Sequence, residues 1–508
     1  MPSQTELFLD DQMIEVSAGV KRRLRLPNYH RLNPVLCPEL WHEGNLVSPR
    51  AVLYDREEKL FKMWYLTGSL ARQDLRVGEH ELYTAYAVSP DGVRWERPPL
   101  GVFEFGGRRD HNVVFCSDRP NQCNPAAGRK AWIDSVVAHP RPKDETEKYV
   151  ALCFDQGKRG CYLARSADGL RWVREKEPFW RTPVDAANWG DDNIHCMIYD
   201  AEIRRWVVYR RLIPQESARF FAAPGDETRP PVDRYVRVIG RAESPDLATW
   251  EGHRIILAPD GDDPPDAEFY GLSCYRYEGV CAGFLWVYHM APEVERIDAQ
   301  LVASRDGVHF TRCCRRETFL RGGLPGAYNY GLTVAYQPQP IVLNDMVYLF
   351  GTGGNYAHTG KDLRQPFSRQ TAWLATLPRD RFASFETGGP PPCQLVTKPF
   401  VVAQPNLYLN AATWGQGAIR VEALDRDWTP LAGFTDAEAA PIRGDSLAHP
   451  LRWNRHPNAS ALVGREVRLK FRMADSRIHA LIQDSDARNP APPPDAGPGE
   501  ARAVLPEN

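Results

Sequence analysis

The chain has 508 residues, with 63 Lys+Arg against 65 Asp+Glu and a formal net charge of −2. That balance offers no basic excess to recruit nucleic acid or an anionic membrane surface. No run of about 18 apolar residues occurs, so no membrane-spanning helix is expected. The length exceeds one ordinary core and points to two or three domains, or to one large β-architecture with an appendage. Trp 14, Tyr 20 and Phe 20 form a rich aromatic set, and Pro 43 with Gly 38 implies many turns, both in keeping with an all-β chain. The opening MPSQTELFLDDQMIE lacks a basic start and an apolar core, so no signal peptide is expected and the location is read as cytoplasmic. Eleven scattered cysteines without CxxC spacing read as reduced thiols.

Taken in chain order, LFLDDQMIE (7–15) has strand character and is expected to close a ring by pairing with its last element. AVLYDREEKLFKMWYL (51–66) is a strand, a polar turn and a strand. The pattern returns in VVAHPRPKDETEKYVALCF (136–154), CMIYDAEIRRWVVYRR (196–211), SCYRYEGVCAGFLWVYH (273–289) and PIVLNDMVYLFGTG (340–353). A second pattern interleaves with it: SPDGVRW (89–95), SADGLRW (166–172), SPDLATW (244–250), SRDGVHF (304–310) and a degenerate TLPRDRF (376–382). In each turn the Asp caps through its side chain, Gly takes positive φ, and the aromatic packs back under the sheet. Five hairpins, each followed by such a turn, predict five four-stranded antiparallel sheets closed radially: a five-bladed β-propeller over 1–390.

Beyond residue 390 come spaced strands at 407–425, 430–442 and 465–484, which predict a C-terminal β-sandwich over 391–485. In it Trp414, Trp428 and Trp453 are read as core or as sugar-binding residues. The Pro-rich 486–508 is expected to be a flexible tail. A homo-oligomer through the sandwich or tail is left open.

In a propeller the recurrent Ser-x-Asp turns lie on the face opposite the funnel and are structural. The funnel is lined by residues just before each inner strand and just after each second strand. These are Trp41, His42, Glu43 and Arg50 for blade one, and Trp132 and Asp134 for blade two. Blade three supplies Trp189, Asp191, Asp192 and His195; blade four Asp266, Glu268 and Tyr270; blade five Tyr328, Asn329 and Tyr330. The returning strands add Arg210, Arg211, His289, Asn355 and His358. Carboxylates beside aromatics at successive blades suit glycosidic cleavage, which needs one acid to protonate the leaving oxygen and one carboxylate as nucleophile or base. An oligosaccharide or glycoside is therefore the expected partner. No cofactor is expected and no metal-ligand signature is found, a structural calcium being left open. GTGGNYAHTGKD (351–362) fails as a phosphate loop, because its spacing is wrong and Asp362 follows the Lys.

With LFLDD near the start, MWY in blade one (Met63–Tyr65), the SxDGxxW turns and DRF at 380–382, the chain resembles the five-bladed-propeller glycoside hydrolases. That group includes invertases, levanases, arabinanases and β-xylosidases, and the nearest likeness is to bacterial proteins similar to the invertase N-terminal domain. The group draws its acids from the inner strands of blades one to three. Asp134 stands where its blade-two Asp stands, without the Pro of the group's Pro-x-Val. Asp192, four residues before Cys196, stands where the group has Glu. The group's Asn-Asp-Pro-Asn-Gly motif in blade one is absent, and Glu43 is the nearest acid.

On this resemblance Asp134 stabilises the cationic transition state or orients the sugar. Asp192, with Asp191 as rival, is the general acid, and Glu43 or Glu268 is nucleophile or base. Trp41, Trp189, Tyr270 and Tyr330 shape sugar subsites, and Arg210 and His289 bind hydroxyls or a substrate carboxylate. Phosphorolysis on a similar propeller, with Arg210, Arg211 and His289 holding phosphate, and non-catalytic sugar binding are the alternatives.

Overall fold

A computed structural model describes residues 4–69, 81–116, 131–155, 160–181, 195–212, 236–291, 295–357 and 367–486. Among them there is no α-helix, only strands and three short 3-10 turns. The chain is all-β, a five-bladed propeller joined to a β-sandwich.

The innermost, second and third strands of each blade run antiparallel. They are Leu46–Asp55, Leu60–Ser69 and Glu81–Ser89 in blade one, and Ala131–Ala138, Tyr149–Asp155 and Gly160–Ser166 in blade two. Blade three uses His195–Asp200, Arg205–Leu212 and Val238–Ser244, and blade four Ala267–Tyr277, Val280–His289 and Arg296–Ser304. In blade five the inner strand is split. Leu332–Ala335 and Ile341–Leu343 both pair with Met346–Gly354, which then pairs with Gln370–Pro378. The prolines of the intervening 336–340 segment account for the break.

The Ser-x-Asp turns follow the third strands as expected, and their chemistry repeats. Ser89 Oγ accepts from Gly92 N at 2.8 Å, Asp91 Oδ1 accepts from Val93 N and Arg94 N at 2.8 Å each, and Trp95 Nε1 donates to Gly92 O at 3.0 Å. The same bonds hold the turn in blade two. Gly169 takes φ +76°, and a Cβ there would lie 2.6 Å from Trp64 Cζ2 of blade one. Blade three accepts the cost of positive φ at a non-glycine, Leu247 at +70°.

Neighbouring blades are stapled near the axis. Thr84 Oγ1 accepts from Ile133 N at 2.8 Å. Ser135 Oγ donates to Met197 O and accepts from Met197 N, both at 3.2 Å. Cys196 Sγ does the same with Cys274 at 3.4 and 3.5 Å, and Ser273 Oγ with Gln337 at 3.1 and 2.8 Å. Ser48 Oγ and Thr352 Oγ1, 2.8 Å apart, join blade five to blade one.

Ring closure differs from the expectation placed on residues 7–15. The last blade receives Asn28–Tyr29, which pairs with Ala375 and Thr376, and a bridge from Leu36 to Ala372. Asn33 adds side-chain bonds to both polar backbone atoms of Leu374. Residues 4–24 instead enter the sandwich. Gln4–Leu7 pairs with Glu466–Asp484, Ile14–Ala18 with Cys393–Thr397, and Val20–Leu24 with Ala383–Thr387. Phe8 and Ile14 fill the sandwich core, which a strand on the propeller rim could not supply.

Two 19-residue strands, Asn406–Leu424 and Glu466–Asp484, pair along their length with a bulge between Thr413 and Ala418. Trp453 is in the core with its Nε1 bonded to Val421 O at 2.9 Å, whereas Trp414 and Trp428 are exposed. The sandwich packs on blades four and five through Leu7, Leu9, Leu24, Tyr277, Phe319 and Phe382, and through Arg305, held by Glu6 and Asp10. Among the described residues nine cysteines form no disulfide, whereas Cys116 is disulfide-bonded, which departs from the expectation of wholly reduced thiols.

The staples predict a specific loss. Ser273→Ala leaves the backbone N–H and C=O of Gln337 short of partners in a buried place, at a cost of about 1–3 kcal/mol. Urea denaturation reads this, and Ser273→Cys recovers part of it because sulfur already fills the role at Cys196.

The turns predict a pH response. Burial opposes ionisation at Asp91, Asp168 and Asp306, but the bonds from backbone N–H groups and the turn's own side chains outweigh it. At Asp246 the backbone bonds lead. All four carboxyls titrate below their ordinary value, so their stabilisation is complete above the unfolded pKa of about 3.9 and is lost as pH falls through the folded values. Asp168→Ala lowers the melting temperature at pH 7, and the gap to the parent closes on acidification below pH ~4.

Candidate functional site

The beginnings of the inner strands bring a polar group together. Asp134, wholly buried on blade two, accepts from Trp132 Nε1 at 3.0 Å and lies 3.9 Å from Arg50 Nη1 of blade one. The Arg50 guanidinium lies 4.4 Å from the ring centre of Tyr336 and donates to its hydroxyl. Tyr336 in turn meets Trp286 edge-on at 4.3 Å. In blade four, Glu268 is buried and ion-paired to Arg237, whose carbonyl accepts from Phe269 N at 3.0 Å. Arg211 of blade three lies over Tyr270 at 4.5 Å, and Arg237 approaches the rings of Tyr270 and Tyr288 at 5.5 and 5.7 Å. Tyr288 OH donates to Glu295 at 2.6 Å.

These contacts share one electrostatic neighbourhood. The phenol of Tyr336 is pushed up first by burial; Arg50 and Arg211 pull it down, while Asp134 and Tyr270 push it further up. Tyr288 is likewise raised, by burial and then by its bond to Glu295. A guanidinium over a tyrosine ring gains cation–π attraction, and its N–H groups suit a hydroxyl or an oxyanion.

Of the residues expected at the funnel, Arg50, Asp134, Glu268 and Tyr270 belong to this group with Arg211. Arg210 is buried, but strand alternation turns it to the opposite face from Arg211, and its charge is felt at His253. His289 faces Asp298 at 3.4 Å, with Arg296 on the other carboxylate oxygen at 3.5 Å. Tyr330 is half-buried in the turn before the blade-five strand, its N–H bonded to Ala327 O. Asn355 braces a loop, bonding Phe367 O and Arg369 N. Trp41 is 45% exposed and packs with His42 and Phe105 under Arg108. Asp191, Asp192, Trp189 and His358 lie outside the described residues, and of His195 only the backbone is described, paired with Arg210. Among the described residues no group of three His, Cys, Asp or Glu could hold a metal ion.

Glu43 requires a correction. It is 0% exposed, and its two oxygens accept from Tyr65 OH, Glu39 N, Leu40 N and Arg97 Nη1 at 2.8–2.9 Å. A carboxylate so enclosed holds the 37–43 loop against blade one and has no open face for an anomeric carbon. Tyr336, Arg237, Tyr288 and Trp286 are site residues that motif reading missed. The trace available in the sequence was the VRVIGRAES run at 236–244, whose Arg237 precedes a third strand. Glu43→Ala removes one of the two carboxylates that hold Arg97, which keeps Glu39 and Cys37 O, and leaves the buried Tyr65 hydroxyl and the amides of Glu39 and Leu40 short of an acceptor. It is expected to lower stability by about 1–3 kcal/mol in chemical denaturation.

No protein-family model and no curated protein matches the chain. Solved structures do. A fructofuranosidase from Schwanniomyces occidentalis complexed with fructosylnystose is 10% identical with a TM-score of 0.37, over 92% of this chain and 98% of that one. A glycoside hydrolase family 43 arabinoxylan arabinofuranohydrolase from Bacillus subtilis is 11% identical with a TM-score of 0.39, over 89% and 98%. A structure described under the GH130 family of mannoside phosphorylases, which contains glycoside hydrolases, is 14% identical with a TM-score of 0.41, over 70% and 94%. The chain resembles propeller glycoside hydrolases of these kinds.

Proposed function

We propose that the chain is a glycoside hydrolase acting on an oligosaccharide or glycoside, with the bond cleaved at the Asp134–Glu268 site. The observation that supports the reading is the presence of a buried carboxylate on blade two and another on blade four, each set against a guanidinium that lies over a tyrosine ring. An oxocarbenium-like transition state gathers positive charge at the anomeric carbon, and a fixed carboxylate beside it supplies the opposing charge. Asp134, held by Trp132 and Arg50, takes that role. Glu268 is nucleophile or base for water. Protonation of the leaving oxygen falls to Asp192 or Asp191. Tyr270, half-buried, offers a ring to the sugar, and Arg211 a donor to its hydroxyls.

A second reading is phosphorolysis. Three guanidiniums, Arg50, Arg211 and Arg237, set over tyrosine rings in this neighbourhood favour an oxyanion as the attacking group. A panel of aryl furanosides and pyranosides, assayed with and without inorganic phosphate, separates the two readings. On the substrate so found, Asp134→Asn and Glu268→Gln are each expected to lower kcat by about 10²–10⁴-fold. Full activity in both variants would remove the assignment.

A further inference from the structure

The sandwich carries a second cluster of chemistry, away from the funnel residues. Strand order places Val20–Leu24, Ala383–Thr387, Glu466–Asp484, Asn406–Leu424 and Asp445–Pro450 side by side. Along one stretch of this sheet stand three arginines, Arg25 beside Phe382 and Arg477 opposite Glu386, with Arg381 next to Phe382. Arg25, just past the first of these strands, bonds Phe382 O through its backbone N–H at 2.9 Å. Next to Phe382, Arg381 reaches across to Asn410 Oδ1 at 2.8 Å, Asp445 Oδ1 at 2.5 Å and Ser446 O at 3.2 Å. Arg477 stands opposite both Glu386 and Ala412, and Ala412 stands opposite Asp445. The Arg477 guanidinium lies 5.4 Å from the ring centre of Trp414, which is 39% exposed.

The cluster is cationic and incompletely answered. Among the described residues, Asp445 is taken by Arg381, while neither Arg25 nor Arg477 has a carboxylate within salt-bridge distance. Glu386, though cross-strand from Arg477, does not pair with it. Arg25 is pulled down first by burial and then by Arg477 and, more weakly, Arg381, while Glu386 and Asp445 oppose the shift without contacting it. Two buried imidazoles border the cluster, His479 at 2% and His449 at 9% exposure, and each leaves Nε2 without a hydrogen-bond partner. His479 Nδ1 is used by Ala383 O at 3.0 Å. Both rings are depressed by desolvation, with Arg381 contributing in the same direction. Like charges held together in a half-buried place are destabilising unless an anion joins them. An indole face beside them is the surface on which a sugar ring stacks.

We propose that this face of the sandwich is a second binding site, for a carboxylated sugar unit whose oxyanion is held by Arg25 and Arg477 and whose ring lies on Trp414. Its evidence is separate from that for the catalytic reading, and its test reads binding alone.

The full-length protein is titrated by ligand-observed NMR with methyl β-D-glucuronide, methyl β-D-glucoside and sodium sulfate. The glucuronide is expected to bind saturably and the glucoside at least tenfold more weakly. Arg25→Gln, Arg477→Gln and Trp414→Ala are each expected to weaken the glucuronide at least tenfold. Arg25→Gln removes a like charge and breaks no ion pair, so this variant is expected to melt no lower than the parent and separates lost binding from lost folding. The proposal is overturned if the glucuronide does not saturate or if Arg25→Gln binds it like the parent. It is also overturned if sulfate binds as tightly while Trp414→Ala changes nothing, since that outcome means an adventitious ion only.

Discussion

Among the described residues, the innermost strand of each blade has one edge that no neighbouring strand pairs along its length; the parallel contacts there are single bridges, Ile297 to Leu332 and Gln370 to Leu46. Unpaired N–H and C=O groups there would be buried without partners as the ring closes, and each such group is expensive. The structure resolves this with a repeated device, in which one short side chain at the head of a blade takes both polar atoms of a residue in the next. Ser135, Cys196 and Ser273 perform it for three successive interfaces; between blades one and two Thr84, on a third strand, accepts from Ile133 N, and Ser48 joins blade one to blade five through the Thr352 side chain. A longer side chain could not approach a backbone edge so closely. The closeness of the strands at the axis, and hence the width of the funnel above them, therefore rests on serine, threonine and cysteine at these places.

The site inherits its order from that ring. Asp134 immediately precedes the staple residue Ser135, and Glu268 and Tyr270 precede Ser273 on the same strand. Fixing the staple fixes the backbone from which these side chains project. The arginines come from different strands and are steered instead by tyrosine faces, with Arg50 also bonded to the Tyr336 hydroxyl and Arg237 to Glu268.

Much of the propeller was legible in the sequence because two patterns repeat in one order, and a turn that needs Ser, Asp, a positive φ and an aromatic leaves a clear trace. The split inner strand of blade five was not legible, since its pairing hides behind the prolines of 336–340. Nor was the closing strand, because two residues, Asn28 and Tyr29, carry no periodicity. The acids proposed for the site, Asp134 and Glu268, stand near the starts of inner strands, a position the repeat pattern marks. Glu43 occupies a similar position, yet its oxygens turn inward to Arg97 and Tyr65, and nothing in one dimension tells those two orientations apart. Tyr336 lies 286 residues from Arg50, so their contact had no local signature.

The first and last strands of the described chain lie side by side, Gln4 opposite Gln483. The propeller is thereby strung between two edges of one sandwich, like a loop whose cord is clamped at a single knot. A pull on the two ends would be borne by that clamp, which shears or peels before any load reaches the blades. The small domain thus acts mechanically as a strain relief, isolating the geometry of the funnel from whatever is attached to either terminus.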